Sequence, residues 1–442
     1  MSRPPSITQL SICGYKSIAR EQTIAIRPLT ILAGANSSGK SSMIQPLLLL
    51  KQTLEASYDP GPLLLNGPNL HFRSADEFLA RDGKQTNHLD VSLHLEDQTA
   101  VDVRFKRHVG EGLQLQQVVY HERLGDLELG PAIPTDQLLP TEQLLPKLPV
   151  PWRNLPKVFA SRGQREMSWL ASRNRCFFEL SFMAGGQGVV TRVPVVNGGA
   201  FAEALRRVIH LPALRGTPER AYPVAAVGAT FPGTFNPYMA CVIAHWQAVD
   251  PKGKLRQLAE DLKHLGLTWK VSATALDETQ VELKVGRLPS PARGGTHDLV
   301  NLADVGFGLS QSLPVVTALL AAEPGQLVYI EQPELHLHPR AQVAMARVLA
   351  NAANRGVQVV AETHSSLLLL GVQSLVAEGH LSPNKVMLHW FRRDATSGIT
   401  EITSAELDQA GRFGDWPEDF DDVALRAESR YLDAAEARLA EK

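Results

Sequence analysis

The chain has 442 residues, of which 44% are hydrophobic and 20% charged, with a formal net charge of −2. That is apolar material for a large core, about three domains' worth by length, and too little net charge to draw the whole molecule onto nucleic acid or an anionic membrane, so any DNA contact must be a local patch. Cys13, Cys176 and Cys241 lie far apart with no C-x-x-C pair, no apolar run reaches membrane-span length and the first residues lack a signal-peptide core, so structural zinc, a disulfide framework and membrane contact are not expected and a cytoplasmic chain is.

In chain order, residues 7–14 alternate apolar and polar, 14–17 read as a turn and 22–26 as the returning strand. This hairpin leads into Leu29-Thr30-Ile31-Leu32, an apolar run that reads as a buried strand. It stops at Gly34. Then Gly34-Ala35-Asn36-Ser37-Ser38-Gly39-Lys40-Ser41 meets every fixed position of G-x-x-x-x-G-K-[ST], and an apolar helical pattern follows. A turn at a helix N-terminus aims several backbone N–H groups at one point. Gly34 and Gly39 let the backbone curl and come close. Lys40 is expected near the β- and γ-phosphates and the Ser41 hydroxyl on Mg²⁺, with Ala35, Asn36, Ser37, Ser38 and Ser42 around the nucleotide. Strand before and helix after set this apart from a surface turn that fits the pattern by chance. Pro46 falls early in the helix, where it is better tolerated than deeper inside.

Glycine and proline make 58–69 a loop. Residues 89–95, 101–107 and 113–120 alternate and predict antiparallel strands of a second sheet. Residues 129–152 hold a tandem near-repeat, Thr135 to Pro140 and Thr141 to Pro146, in a proline-rich setting that forbids a long helix. An exposed insertion is expected there. Arg162, Arg165, Arg173 and Arg175 surround Trp169 as a small basic patch, open to phosphate but more often a solvated face. A proline-pinned loop at 210–222 carries Arg215 and Arg220. Helices are predicted at 201–208, 239–248 and 254–265, a hairpin at 269–276 and 279–285, and a Pro/Gly-rich loop at 289–296.

The run 326–330 is a second buried strand, ending in Glu331-Gln332-Pro333-Glu334. Carboxylates at the C-terminal end of a parallel strand sit where open α/β sheets bind ligands, and can hold Mg²⁺ or polarise water. The next strand, 357–361, ends in Glu362-Thr363-His364-Ser365. His364 can reach a γ-phosphate, and Ser365 can cap the helix that follows. Between them, Gly306-Phe307-Gly308-Leu309-Ser310-Gln311 opens another apolar helix, a second N-terminus able to recognise phosphate. Unless the fold brings it to Lys40, the natural arrangement is a dimer with each Ser310 segment facing the other subunit's Lys40.

This set of motifs resembles the ABC-type ATPase heads of the SMC/RecF/OLD group, and most nearly the stand-alone bacterial AAA-family ATPases of phage-defence type. The residues that carry the likeness are 34–41, Leu211-Pro-x-Leu-Arg215, Arg220-x-Tyr222, 306–314, 330–339 (IEQPELHLHP), 362–365 and 414–417; residues 75–205 match less. The resemblance implies an α/β P-loop NTPase with a two-lobe head, a mixed sheet plus an antiparallel N-terminal sheet, and an inserted subdomain. It would divide the chain into an N-terminal lobe (1–125), an insertion (126–200) and a C-terminal lobe (201–442). ATP and Mg²⁺ are implied as cofactors. Lys40 would bind phosphate, Ser41 and Glu331 the metal, Gly308, Ser310 and Gln311 the nucleotide in trans, and His364 would be the switch histidine. Where many ABC heads carry a catalytic glutamate, this chain has Gln332, which can orient water but is no base. Either Glu334 substitutes or hydrolysis is slow; slow hydrolysis is the expectation.

His336 and His338 have no third ligand nearby in sequence, so packing or an interface is expected rather than zinc. A helix over 423–439 closes the chain. Three functions compete. The first is an ATP-closed homodimer, or higher homo-oligomer, that controls a nuclease or toxin effector encoded nearby in anti-phage defence. The second is a DNA-binding repair ATPase of RecF/SMC type, and the third an ABC transporter subunit, which the IEQPELHLHP segment disfavours.

Overall fold

The computed structural model describes residues 3–414 and 429–433, apart from 83, 109, 111, 124, 131–137, 146–147, 151, 162–165, 187–188, 197, 289 and 291–297. Residues 289 and 291–296 of the predicted loop, residues 415–417 and most of the predicted helix 423–439 therefore lie outside the described residues.

Its centre is a six-stranded sheet in the order Ile209–Leu211, Leu327–Glu331, Gln358–Thr363, Leu29–Gly34, Val386–Arg393, Thr400–Ala405. Neighbours run parallel except for the last pair, an antiparallel edge. Every residue of Leu29–Gly34 and Gln358–Thr363 is buried, as in a parallel sheet covered on both faces. Alternate residues point to opposite sides. Ile31, Val328, Ile330, Val359 and Ala361 meet the helices Met239–Val249, Phe307–Ala321, Pro339–Asn354 and Ser366–Ala377. Leu32, Leu327, Tyr329 and Val360 meet the helix Lys40–Glu55 and the sheet beyond it.

That second sheet is antiparallel, ordered Gln22–Ala25, Ile7–Cys13, His88–Leu95, Ala100–His108, Gly112–Glu122, Gly125–Leu129. His88–Leu95 alternates half-buried and buried residues along its length, so one face enters the core and the other carries polar groups. On the outer face Cys13, His88 and Asp90 bring metal-capable atoms within 4.8 Å of one another. Arg104 already takes both Asp90 oxygens at 2.8 Å, which makes the group a neutralised ion pair rather than an open cage.

The region after residue 137 departs from expectation. Leu138–Pro140, Glu166–Asn174, Phe177–Gly186 and Val189–Val196 build a four-stranded antiparallel sheet. Leu139 and Leu144 of the repeat, and Leu148 just after it, are buried in the same cluster as the antiparallel lobe, while Leu138, Pro140 and Glu142 stay exposed, so the described part of the repeat is packed on one side and exposed on the other. The basic patch also disperses. Trp169 is fully buried beside Phe182, ring centroids 4.9 Å apart. Arg173 pairs with Asp59 and Arg175 donates to the Thr53 carbonyl. Arg162 and Arg165 lie outside the described residues. Among the described residues no helix is long and apolar enough to cross a membrane.

Candidate functional site

The phosphate loop bridges the strand Leu29–Gly34 and the helix Lys40–Glu55. Gly39 caps the helix at φ 103°, and a Cβ there would collide with the Thr400 hydroxyl. That hydroxyl donates to the Ser38 carbonyl at 2.8 Å and so pins the loop. Gly34, at φ 147°, lies so near the Phe391 carbonyl that a Cβ would clash. Both glycines are therefore fixed by conformation and by space. Lys40 is almost wholly buried; its ammonium donates to the carbonyls of Gly34 (3.0 Å) and Ala35 (2.7 Å) and reaches Ser38 Oγ at 3.5 Å. Burial pulls its pKa down to about 8, against the pull of Glu362 and Glu334.

The helix start lies beside a cleft of about 980 Å³ lined by loop residues 36–42 with Gln332, Glu362 and His364. Three strand ends meet here because Gln358–Thr363 lies between Leu327–Glu331 and Leu29–Gly34 in register: Glu331 pairs with Glu362, and Glu362 with Leu32. The Ser41 hydroxyl donates to Glu362 Oε1 at 3.0 Å, and the buried Tyr329 hydroxyl to Oε2 at 3.0 Å. Burial raises the Glu362 pKa, and the Glu331 charge adds to the rise.

Glu331 faces elsewhere. Its Oε1 lies 3.4 Å from His210 Nε2, and its Oε2 accepts from the Ala213 N–H at 3.2 Å. Burial alone would lift its pKa; His210, the Ala213 bond and Arg215 bring it below the usual value. His210 stacks on Tyr329 at 5.5 Å and meets Asn69 Oδ1 at 3.0 Å. The Asn69 Nδ2 has no partner among the described residues, and an amide flip would direct it at His210 Nδ1, freeing Nε2–H for Glu331.

Glu334 is buried off the cleft wall. Its Oε1 accepts from Thr363 Oγ1 (2.7 Å) and the His364 N–H (3.0 Å), while Oε2 has no partner among the described residues. Burial raises its pKa. Gln332 sits at φ 47°; its N–H donates to the Glu362 carbonyl at 2.8 Å and its carbonyl accepts from Arg215 Nη2 at 3.3 Å. His364 faces the cleft with its pKa lowered by burial and by Lys40, against a bond to the Gly34 backbone.

The second helix N-terminus stays out of this cleft. Ser310 is buried, with its hydroxyl on the Phe307 carbonyl at 3.2 Å. Gln311 is turned inward: Oε1 accepts from the Arg215 N–H (3.2 Å) and Nε2 donates to the Gly216 carbonyl (2.8 Å). The helix start presents Gly306 and the exposed ring of Phe307 to solvent, with Gly308 half-buried behind them. His336 packs against Phe307 at 5.7 Å, and His338 caps the helix Pro339–Asn354; neither joins a metal-capable group among the described residues.

Sequence reasoning missed Glu362 as a site residue, although it ends a buried strand just as Glu331 does. Lys16 was also missed. Read as part of a turn, it lines the cleft and donates to Gln45 Oε1 at 2.6 Å; no local pattern marks it.

Residues 293–370 match the family described as "AAA domain, putative AbiEii toxin, Type IV TA system". This stretch spans the second helix N-terminus, Glu331 and His364 but not the phosphate loop. A search of curated proteins finds no match. Among solved structures, an Smc head bound to the C-winged helix domain of ScpA is similar at 11% identity over 92% of this chain and 99% of that one, TM-score 0.47. The SMC head domain from Thermotoga maritima gives 11% identity over 91% and 100%, TM-score 0.36. The Smc head with an extended coiled coil, bound to the C-terminal domain of ScpA derived from Pyrococcus furiosus, gives 11% over 91% and 96%, TM-score 0.42. The stretch that matches this AAA family, residues 293–370, thus lies within an α/β fold whose central sheet also carries the phosphate-loop sequence.

Proposed function

We propose that this chain binds and slowly hydrolyses ATP with Mg²⁺, and that ATP closes a homodimer which controls a partner effector in anti-phage defence. The observation behind this reading is the convergence of Lys40, Ser41, Gln332, Glu362 and His364 on one cleft at the C-terminal ends of parallel strands. Loop N–H groups and Lys40 bind phosphate. The Ser41 and Glu362 oxygens, 3.0 Å apart, fit a hard cation: neighbouring ligands of octahedral Mg²⁺ are separated by about 2.9 Å. Bound there, the ion would neutralise charge on the transferring phosphoryl group. Gln332 orients the attacking water but cannot take its proton, which makes turnover slow. When ATP binds, His364 turns its single imidazole N–H from the Gly34 backbone toward the terminal phosphate.

Ser310 lies outside its own cleft, which supports completion in trans by a second subunit through the exposed start of the helix Phe307–Ala321. In that closed state Gly308 and the helix N–H groups meet the nucleotide, with Ser310 and Gln311 holding the turn behind them. The matched family's description as a toxin of a type IV TA system supports a role for an effector. Glu331 enters the proposal by shaping the strand end.

The test is nucleotide binding and mass. Lys40→Ala should abolish ATP binding, and ATP should convert wild-type monomer to dimer, alone or with its operon neighbours. A monomer unchanged by ATP overturns the switch. ATPase stimulation by DNA would instead favour the RecF/SMC-like repair reading.

A further inference from the structure

The phosphate loop opens a helix whose far end is held by another part of the chain. We propose that Arg175, at a hairpin tip of the four-stranded sheet, is a positioning residue for the phosphate loop, acting through the helix Lys40–Glu55 with Arg206 beside it. The inference rests on the ATPase reading above and deepens it, because it makes the four-stranded sheet a control point for nucleotide affinity.

The helix has no C-terminal cap of its own. Ala56 follows it at φ −57° and ψ 140°, and its last turn holds no basic residue. A left-handed glycine or a nearby cation is the common way to satisfy the final carbonyls of a helix. Here two arginines from elsewhere in the chain do so. Arg175 Nη1 donates to the Thr53 carbonyl at 2.7 Å, and Arg206 Nε to the Leu54 carbonyl at 3.3 Å. Both carbonyls are among the last four, which no helical N–H reaches. Two guanidinium charges thus meet the negative end of the helix whose positive end opens on the cleft.

Arg175 holds this place under strain. It lies between the strands Glu166–Asn174 and Phe177–Gly186 at φ 56°, a backbone conformation that glycine adopts freely and arginine does not. The turn is fixed on both sides. Arg173 donates to the Arg175 carbonyl at 3.1 Å and to both oxygens of Asp59, four residues beyond the helix. Cys176 and Phe177 are buried, and the Phe177 ring leaves no room for a Cβ at Gly198, the residue that caps the helix Gly199–Arg206. The Tyr120 hydroxyl donates to the Phe178 carbonyl at 2.7 Å and ties the hairpin to the antiparallel lobe. A displacement of the four-stranded sheet therefore carries the Arg175 guanidinium with it, and so pulls on a 16-residue helix about 24 Å long. Lys40, Ser41 and Ser42 are the first residues at its other end. By linkage the effect is reciprocal: a nucleotide that fixes the start of the helix tightens the hold on its end.

The experiment uses full-length protein and a fluorescent, non-hydrolysable ATP analogue with Mg²⁺. Analogue affinity is measured well below the unfolding temperature, and amide hydrogen exchange is followed in residues 35–42 and 174–177 with and without analogue. In wild type the analogue should protect both segments. Arg175→Gly suits the left-handed backbone and removes the guanidinium; it should weaken analogue binding about 3- to 30-fold and end the protection of 174–177. Arg175→Lys keeps a donor and should recover part of the affinity. Should Arg175→Gly fail to fold, Arg173→Ala releases Asp59 and the Arg175 carbonyl but leaves the Arg175 side chain in place, and a smaller loss in the same direction is expected. Folded variants that unfold at lower urea yet bind the analogue as wild type does give Arg175 a structural role only and overturn the inference. So does analogue that protects 35–42 in wild type without protecting 174–177; the ATPase reading survives both results. Wild-type protein that binds no analogue overturns the ATPase reading and this inference with it.

Discussion

Replacing Arg215 with methionine separates stability from turnover. Arg215 is 7% exposed. Its Nη2 donates to the carbonyls of Glu331 (2.6 Å) and Gln332 (3.3 Å), while Nε and Nη1 have no partner among the described residues. Burial lowers its pKa to about 10, against the pull of Glu331 and Glu334. Charge-assisted bonds to the two carbonyls are worth about 1.5–3 kcal/mol each, and two unsatisfied buried donors cost about 1–3 kcal/mol each. Methionine removes both, so the terms oppose and the net change in folding stability should stay within about 2 kcal/mol. Gln332 has no such offset. Its left-handed backbone is held by the Glu362 carbonyl on one side and by Arg215 on the other. Loosening one side displaces the amide that we propose orients water, and a misplacement near 1 Å is worth about 100-fold in rate. We expect kcat to fall about 10–100-fold with ATP affinity unchanged, since in the proposed function binding runs through Lys40. Steady-state ATPase, nucleotide titration and urea unfolding decide it. Unchanged kcat, or a stability loss large enough to account for the lost activity, refutes the reasoning; Arg215→Lys, which keeps a donor, should recover part of the rate.

Glu334→Gln should leave kcat within about threefold of wild type, because the carboxylate lies off the cleft wall on Thr363 and the His364 N–H; a fall of about 100-fold would make it the general base instead. His389 is fully buried between Ser404 Oγ (2.7 Å) and the Ala25 carbonyl (2.8 Å), and burial holds its pKa down to about 4. The folded form thus binds its proton later than the unfolded chain, so this stabilisation is complete above pH 6.5 and is lost as pH falls toward 4. Urea unfolding should show about 2–3 kcal/mol more acid destabilisation by pH 4.5 in wild type than in His389→Gln; equal slopes for both would remove His389 from that role.

Much of the site is legible along the chain because its chemistry is local. Eight consecutive residues make the phosphate loop, and its glycines, lysine and serine stand at spacings that only a tight turn onto a helix uses. The buried runs ending at Glu331 and Glu362 are equally plain, since strands of a covered parallel sheet need no polar alternation. The helix from Phe307 is legible through its apolar run, and the antiparallel lobe through alternation in residues such as Val91, Leu93 and Leu95. The four-stranded sheet was harder to see. Arg173 and Arg175 drew attention to charge, while the buried pair Trp169 and Ala171 of the same strand set its true period.

What the amino-acid sequence by itself determined is the class of chemistry: a phosphate loop, acidic strand ends and a second helix N-terminus. Only the tertiary structure decided which acid meets Ser41, where Glu334 points and that Ser310 stays out of its own cleft. The reason is that loop geometry is set by neighbours in sequence, whereas the distance from Ser41 to a carboxylate is set by strand order. Glu331 and Glu362 end similar apolar runs, and nothing in either run shows that Gln358–Thr363 is the strand beside Leu29–Gly34.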